Sequence, residues 1–406
     1  MNSADAKGKI GVMIVERDLT PRVLQSARDM PVVTITGPRQ SGKTTLCRAT
    51  FPEHPYVSLE APDVRSFARE DPRTFLARFP SGAILDEIQR VPDLLSYLQV
   101  TVDENPEPGQ WILTGSHNLS LLESVGQSLA GRTAVLHLLP LGRGEVLRFD
   151  NPPQHLDETL LTGGYPRVLD RGLDPSDWHG WYTATYLERD VRTVGNVGDL
   201  SMFHRFMQLC AGRTAQLLNY SALAGDCGIS QPTAKAWLSV LETGFLTFRL
   251  PAFHSNLRKR LVKMPKLHFY DTGLVCHLLG VTDTDQLASH PLRGHIFETW
   301  VTSEIVKRRT NRRAADALSF YRDRGGAEVD IVIGGPHRLS LVETKAAATP
   351  SSALLRPARR VRDQLEGGDC TVYCVYGGDD LQQRHGDTLV PWARLHETDL
   401  EPTREC

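Results

Sequence analysis

With 406 residues, 40% hydrophobic and 23% charged, and a formal charge of -2, the chain can bury two or three separate cores. Near-neutral charge excludes a whole-chain attraction to nucleic acid, so any such footprint must be local. No apolar run approaches a membrane span, so no membrane is expected among the partners. Met1 to Val15 is polar, without the apolar stretch of a signal peptide. The seven cysteines are scattered at 47, 210, 227, 276, 370, 374 and 406, and no second pair completes a zinc site with Cys370 and Cys374. Buried thiols in a reducing, cytoplasmic setting are expected.

Residues 16–30 have helical spacing with Pro21 in a first turn. The β-branched run Val32 to Thr36 then leads into Gly37, Pro38, Arg39, Gln40, Ser41, Gly42, Lys43, Thr44 and Thr45. Strand, glycine-rich loop and helix start in this order make a P-loop. Its glycines let backbone N–H groups approach phosphate oxygens, and the helix beginning near Lys43 aims its positive end at the same anion. Lys43 supplies a charge for the β- and γ-phosphates, and the Thr44 hydroxyl can ligate Mg²⁺.

Tyr56 to Leu59 reads as a second strand and Asp63 to Phe79 as helical. Gly82-Ala-Ile-Leu-Asp-Glu is an apolar strand ending in Asp86 and Glu87. In a nucleotide site Asp86 would hold the Mg²⁺ shell and Glu87 would polarise the attacking water; a solvated pair capping the next helix is the plainer alternative. Trp111 to Ser116 is a further buried strand. Thr114 and Ser116 at its end serve either as sensors near the γ-phosphate or as ordinary turn hydroxyls. Residues 118–130 look helical, and Arg132 precedes the apolar strand Ala134 to Leu139. Arg132 is placed to reach a neighbouring subunit's nucleotide, or is a surface arginine. Alternating strands and helices predict a parallel, doubly wound α/β sheet over residues 16–150.

After Asn151-Pro-Pro the pattern turns helical, with a turn at Gly163-Gly-Tyr-Pro. Ser221 to Asp226, a turn at Cys227 to Ser230, and Gln231 to Glu242 have the lengths of a helix-turn-helix, and strands follow at Phe245 to Leu250 and Leu267 to Tyr270, as in a winged helix. Gln231, Thr233 and Lys235 would face a DNA groove, with Arg258, Lys259, Arg260 and Lys263 on phosphates. Such modules also pack against proteins, so both uses stay open. Residues 151–290 form this helical, winged-helix part.

Residues 291–400 form a third part. Gly294 to Lys307 is an amphipathic helix carrying Glu298, Tyr321 to Ile333 a strand carrying Asp330, and Leu339 to Ala346 a returning strand carrying Glu343 and Lys345. That pairing would set Asp330 beside Glu343 as a Mg²⁺ site, with Lys345 orienting the activated water; a β-hairpin with exposed charges is the alternative.

Together these residues resemble a bacterial and archaeal family of AAA-type ATPases with a middle winged helix and a C-terminal fold like the PD-(D/E)-x-K nucleases. The matches run from Gly37 to Thr45 through Leu85-Asp-Glu-Ile-Gln, Leu113-Thr-Gly-Ser, Gly163-Gly-Tyr-Pro and Tyr186-Leu-Glu-Arg-Asp. They continue through Lys266-Leu-His-Phe-Tyr-Asp-Thr-Gly-Leu and Gly294-His-Ile-Phe-Glu to Glu328-Val-Asp and Glu343-Thr-Lys. The resemblance implies ATP and Mg²⁺ at Lys43, Thr44, Asp86 and Glu87, and a nuclease-like set of Glu298, Asp330, Glu343 and Lys345. It also implies rings or dimers in which Arg132 acts in trans. Two functions are expected from it: an ATPase whose cycle controls DNA engagement, with metal-dependent cleavage, or a non-nucleolytic ATP switch that binds a protein partner.

Overall fold

The computed structural model describes residues 14–116, 128–186, 191, 199–253, 264–314, 317–334, 338–365 and 369–402. Strand β1 (Val32–Thr36) is buried at all five positions, as a β-branched strand covered on both faces should be. β2 (Tyr56–Ser58), β3 (Ala83–Asp86), β4 (Trp111–Gly115) and β5 (Thr133–His137) complete a parallel sheet in the order β2-β3-β4-β1-β5. Val32 stands opposite both Trp111 and Thr133, and Ala83 also pairs with Trp111. The C-terminal ends of β1, β3 and β4 therefore share one edge, where open parallel sheets bind ligands.

Alternation divides the apolar residues between two faces. Val33, Ile35, Ile84 and Ile112 pack with Val23 of α1 (Thr20–Asp29) and Leu46 and Cys47 of α2 (Lys43–Thr50). Val32, Leu85, Trp111 and Leu113 pack with Phe75, Leu94 and Leu98 on the other face. The helical stretch expected over Asp63 to Phe79 is built of two helices, Pro62–Glu70 and Pro72–Ala77. Pro72 has no N–H to continue the first helix, and the Asp71 side chain accepts from Thr74 N at 3.1 Å to start the second. Residues 118–127 of the expected 118–130 helix lie outside the described residues.

In the middle part, helix Tyr220–Cys227 turns through Gly228 (φ 76°) into helix Gln231–Thr243, whose first turn is capped by Ser230. Strands β6 (Gln216–Leu217), β7 (Thr247–Leu250) and β8 (Lys266–Phe269) form an antiparallel sheet in the order β6-β8-β7. β7 begins later than the expected Phe245 because that residue has a left-handed φ of 56°. The expected phosphate-gripping run Arg258, Lys259, Arg260 and Lys263, and most of the Tyr186-Leu-Glu-Arg-Asp stretch, lie outside the described residues.

The last part is a six-stranded mixed sheet. Its strands are β9 (Leu318–Arg322), β10 (Glu328–Gly334), β11 (Arg338–Lys345), β12 (Asp369–Tyr376), β13 (Gln382–Arg384) and β14 (Asp387–Pro391), in the order β13-β14-β12-β11-β10-β9. The stretch from Tyr321 to Ile333, expected as one strand, is a hairpin. Asp323 takes its turn, its side chain accepting from Ala327 N at 2.9 Å, with Gly326 at φ 82°. Helix Arg293–Arg312 covers one face. On that face one apolar cluster runs from Phe206, Leu238 and Leu274 through Phe297 and Val301 to Ile331, Val342 and Val375. The middle and last parts therefore share a core. Among the described residues no helix is long and apolar enough to cross a membrane.

Candidate nucleotide site and carboxylate cluster

The loop after β1 is held from behind. A Cβ on Gly37 would lie 2.1 Å from Leu138 O, so only glycine lets the loop pass the end of β5. Arg17 is buried and donates to Ser41 O (2.6 Å), Leu139 O (2.8 Å) and Glu145 Oε1 (2.8 Å). This guanidinium ties the loop to the chain leaving β5. Sequence reasoning missed it, because nothing local marks an arginine whose partners lie far along the chain.

Lys43 opens α2 with its side chain buried, and its Nζ donates to Gly37 O (2.9 Å) and Pro38 O (2.8 Å). Burial pulls its pKa down to about 8, against the opposing pull of Glu87. Thr44 Oγ1 donates to Asp86 Oδ2 at 3.0 Å, and Thr114 Oγ1 and the Tyr56 hydroxyl also donate to Asp86, the latter at 2.7 Å. Burial and then Asp86 push the Tyr56 phenol up to about 12, so it stays a donor at neutral pH. Thr44 and Asp86 present adjacent hard oxygens beside the loop, a donor set whose chemistry fits Mg²⁺.

Glu87 has a left-handed backbone at φ 59°. For a non-glycine residue that conformation costs about 1–3 kcal/mol and is kept where the surroundings impose it. It swings the carboxylate to Gln89 Nε2 and Ser116 Oγ, the latter 3.4 Å away, while Glu87 N donates weakly to Thr114 Oγ1 at 3.4 Å. The structure thus brings Lys43, Thr44, Asp86, Glu87, Thr114 and Ser116 together, and adds Tyr56 and Gln89. Arg132 stands apart. It precedes β5 at the opposite edge of the sheet and forms a two-pronged ion pair with Asp103, with Nη2 to Oδ2 at 2.8 Å.

The middle part reaches this site. A Cβ on Gly42 would be 3.9 Å from Pro166 Cγ. The preceding Gly163-Gly164 turn is wedged between Leu141, whose N–H donates to Gly164 O (2.7 Å), and Asp271, which accepts from Gly164 N (2.6 Å). At Gly163 (φ 70°) a Cβ would lie 2.5 Å from Asp271 Oδ1. Asp271 also accepts from Leu274 N (2.8 Å) and pairs with His179 Nε2 (3.1 Å), all buried.

In the last part, the β10–β11 register sets Ile331 against Val342 and so brings Asp330 beside Glu343, and helix Arg293–Arg312 adds Glu298. Lys345 Nζ lies 3.1 Å from Glu343 Oε2. At the centre is a residue not assigned a role from sequence. Lys266, opening β8, lies 2.7 Å from Glu298 Oε1, 2.8 Å from Glu328 Oε1 and 3.6 Å from Asp330 Oδ1. Asp330 Oδ2 accepts from both the N–H and the hydroxyl of Thr344 at 2.9 Å. Burial alone would lower the Lys266 pKa, but Glu298, Asp330 and Glu328 outweigh it and raise it. Burial and then Asp330 push Glu298 and Glu343 each up to about 8. For Glu298 these outweigh the pull of its own lysine partner, so the crowded cluster retains protons above the usual carboxylate range. An ammonium bonded to Glu298 Oε1 and facing Asp330 Oδ1 from 3.6 Å occupies the space between two of the three expected ligands, so the set does not fit a divalent ion. Among the described residues no group of three or more His, Cys, Asp or Glu side chains is arranged to hold one.

An AAA domain model matches residues 29–147, a domain of unknown function (DUF8612) residues 153–285, and another (DUF4143) residues 293–395. The uncharacterised proteins Rv2008c of Mycobacterium tuberculosis and Mb2031c of Mycobacterium bovis are each 30% identical over 347 residues, covering 84% of this chain and 77% of theirs. Among solved structures, the Walker-type ATPase PABY2304 of Pyrococcus abyssi superposes with a TM-score of 0.43 at 16% identity, over 65% of this chain and 96% of its own. AMPPCP-bound DnaA from Aquifex aeolicus does so with a TM-score of 0.28 at 11% identity, over 54% and 86%.

Proposed function

The chain belongs to the family of the mycobacterial proteins Rv2008c and Mb2031c, and from that premise, with its AAA domain at residues 29–147, we propose that it is a Mg²⁺-dependent ATP hydrolase. The observation that carries this reading is the set of contacts on Asp86, which gathers Thr44 from the loop helix and Thr114 from β4 at one sheet edge, with Glu87 turned outward beside them. In this reading the loop from Gly37 to Thr45 cradles the phosphates. Lys43 leaves the loop carbonyls for the β- and γ-phosphates, and Thr44 and Asp86 hold Mg²⁺. The ion supplies charge neutralisation on the transferred phosphoryl group. Glu87 takes a proton from the attacking water, and Ser116 and Gln89 hold its carboxylate in place.

The nucleotide state is passed to the middle part through the Gly163–Pro166 turn, which touches both the loop and Asp271, and there it controls engagement of DNA. Gln231 and Lys235 lie exposed on helix Gln231–Thr243, with Thr233 half-buried in its capping contact to Ser230. A second reading, a switch that binds a protein partner without cleaving nucleic acid, is favoured by Lys266 standing among the carboxylates. One experiment tests both: ATP hydrolysis with and without duplex DNA at low and high salt, with Lys43→Ala as blank. Lys43-dependent turnover that rises with DNA, and loses the rise in salt, supports the DNA reading. Lys43-dependent turnover indifferent to DNA moves the function to the protein partner. Turnover unaffected by Lys43→Ala overturns the ATPase itself.

A further inference from the structure

The carboxylates of the last part come from separate elements: Glu298 from helix Arg293–Arg312, Glu328 and Asp330 from β10, and Glu343 from β11. Gathering four acids beside a core demands cations. A metal ion is one solution, binding carboxylate oxygens at about 2.0–2.1 Å if it is Mg²⁺. The chain supplies another. Lys266 Nζ, nearly inaccessible, stands at ammonium–carboxylate distance from Glu298 and Glu328 and faces Asp330. Its N–H donors meet Glu298 and Glu328, and the charge faces Asp330 Oδ1 from 3.6 Å. The remaining cations are also placed: Lys345 on Glu343, and Arg322 on the second oxygen of Glu328 at 3.3 Å. Glu298, Glu328 and Asp330 are thus provided for without a metal, leaving Glu343 Oε1 as the one buried oxygen of the four acids without a hydrogen-bond partner.

Lys266 reaches these groups from outside the sheet that carries most of them. It opens β8 in the middle part, paired with Leu217 of β6 and Leu250 of β7. Its Nζ lies over the Phe320 ring, 5.4 Å from the centroid. The contact therefore joins the β6-β8-β7 sheet, the long helix and β10 at one buried point.

We propose that Lys266 is the resident cation of this cluster, taking the place of a divalent metal, and that the cluster clamps the middle part to the last part rather than serving as a metal-dependent hydrolytic centre. The proposal is independent of the ATPase reading, since it involves no residue of the P-loop edge. It predicts that the full chain takes up no divalent ion through Asp330, and that removing the ammonium creates a site for one.

The test is a Mn²⁺ titration of the nucleotide-free full chain, followed by the electron paramagnetic resonance signal of free Mn²⁺. Wild type and Asp330→Asn should bind the same amount, because any uptake at Thr44 and Asp86 is common to both. Lys266→Met should gain about one equivalent, and the Lys266→Met/Asp330→Asn double variant should lose it. A wild-type site that disappears in Asp330→Asn overturns the proposal, and so does a folded Lys266→Met variant with no extra uptake. If Lys266→Met does not fold, the pair of wild type and Asp330→Asn decides: equal uptake supports the proposal and a lost equivalent overturns it.

Discussion

Asp86 and Glu87 are neighbours in sequence with opposite surroundings. Asp86 ends β3 buried, accepting from three hydroxyls, and Glu87 leaves the strand through a left-handed turn with its carboxylate toward Ser116. A carboxylate saturated with hydroxyl donors suits holding a cation and its waters, and one at the rim suits moving a proton. Glu87→Gln should therefore keep nucleotide affinity and lower turnover about 10²–10⁴-fold, the usual worth of general-base catalysis. Equilibrium binding of a fluorescent ATP analogue beside a phosphate-release assay checks it, and lost affinity would assign Glu87 to binding instead. The carboxylate cluster gives a second prediction at this scale. Glu298 and Glu343 hold protons more tightly folded than at the ordinary value of 4.5, both rising to about 8. Their contribution to stability is complete below the ordinary value and is lost as pH rises toward about 8. Lys266, Lys345, Glu328 and Asp330 face them. His295, lowered by burial, destabilises only as pH falls below its ordinary 6.5, so the window that isolates the carboxyls is about 6.5–8. Thermal midpoints should fall across that window, with roughly half the slope in Glu343→Gln. An unchanged slope would remove Glu343 from the titration. The P-loop residues were legible because each sits at a fixed offset from Gly37. Lys266 was not, because its partners lie far along the chain and no local pattern marks a lysine that opens an apolar strand.

At the level of elements, the turn from Gly163 to Pro166 shows why composition alone identifies a break without its purpose. Paired glycines before proline mark a turn, and that much was readable. What requires them is Asp271, a carboxylate about a hundred residues later that accepts from Gly164 N and Leu274 N and pairs with His179, leaving no room for a Cβ at Gly163. Asp271→Ala would strand two buried N–H donors and a buried imidazole together. It should cost about 3–5 kcal/mol, the range for removing one member of a buried pair, read as a lower urea midpoint at unchanged slope. A change below about 1 kcal/mol would mean that water replaces the carboxylate. The strand alternation that places Val33 and Ile35 on one face and Val32 on the other was equally readable from β1 alone. The hairpin at Asp323 was not, because Arg322 to Ala327 reads as a polar interruption until Asp323 is seen to bond its own turn.

At the scale of the whole molecule, the direction of the parallel sheet constrains Arg132. The P-loop follows Thr36 at one end of β1, while Arg132 O accepts from Val32 N at the other. A five-residue strand at about 3.3 Å per residue separates the two by roughly 16 Å, more than an arginine side chain spans. Arg132 cannot serve its own chain's phosphates, so a catalytic role exists only across an interface between copies, where its exposed pair with Asp103 must open. An exposed ion pair is weak and screened by solvent, a small barrier to that exchange. If Arg132 acts in trans, Arg132→Ala and Lys43→Ala are each inactive for different reasons: the first has an intact loop and no finger to offer its neighbour, the second a finger and no loop. Mixing them should restore turnover to about a quarter of wild type at equal subunit ratio in a two-site assembly, because the productive pairing uses the loop of one variant and the finger of the other. Phosphate release measured across mixing ratios at fixed total protein should peak near equality. A flat profile at the level of the separate variants, with both shown folded by their thermal midpoints, would return Arg132 to the surface and leave Lys43, Asp86 and Glu87 to act within a single chain.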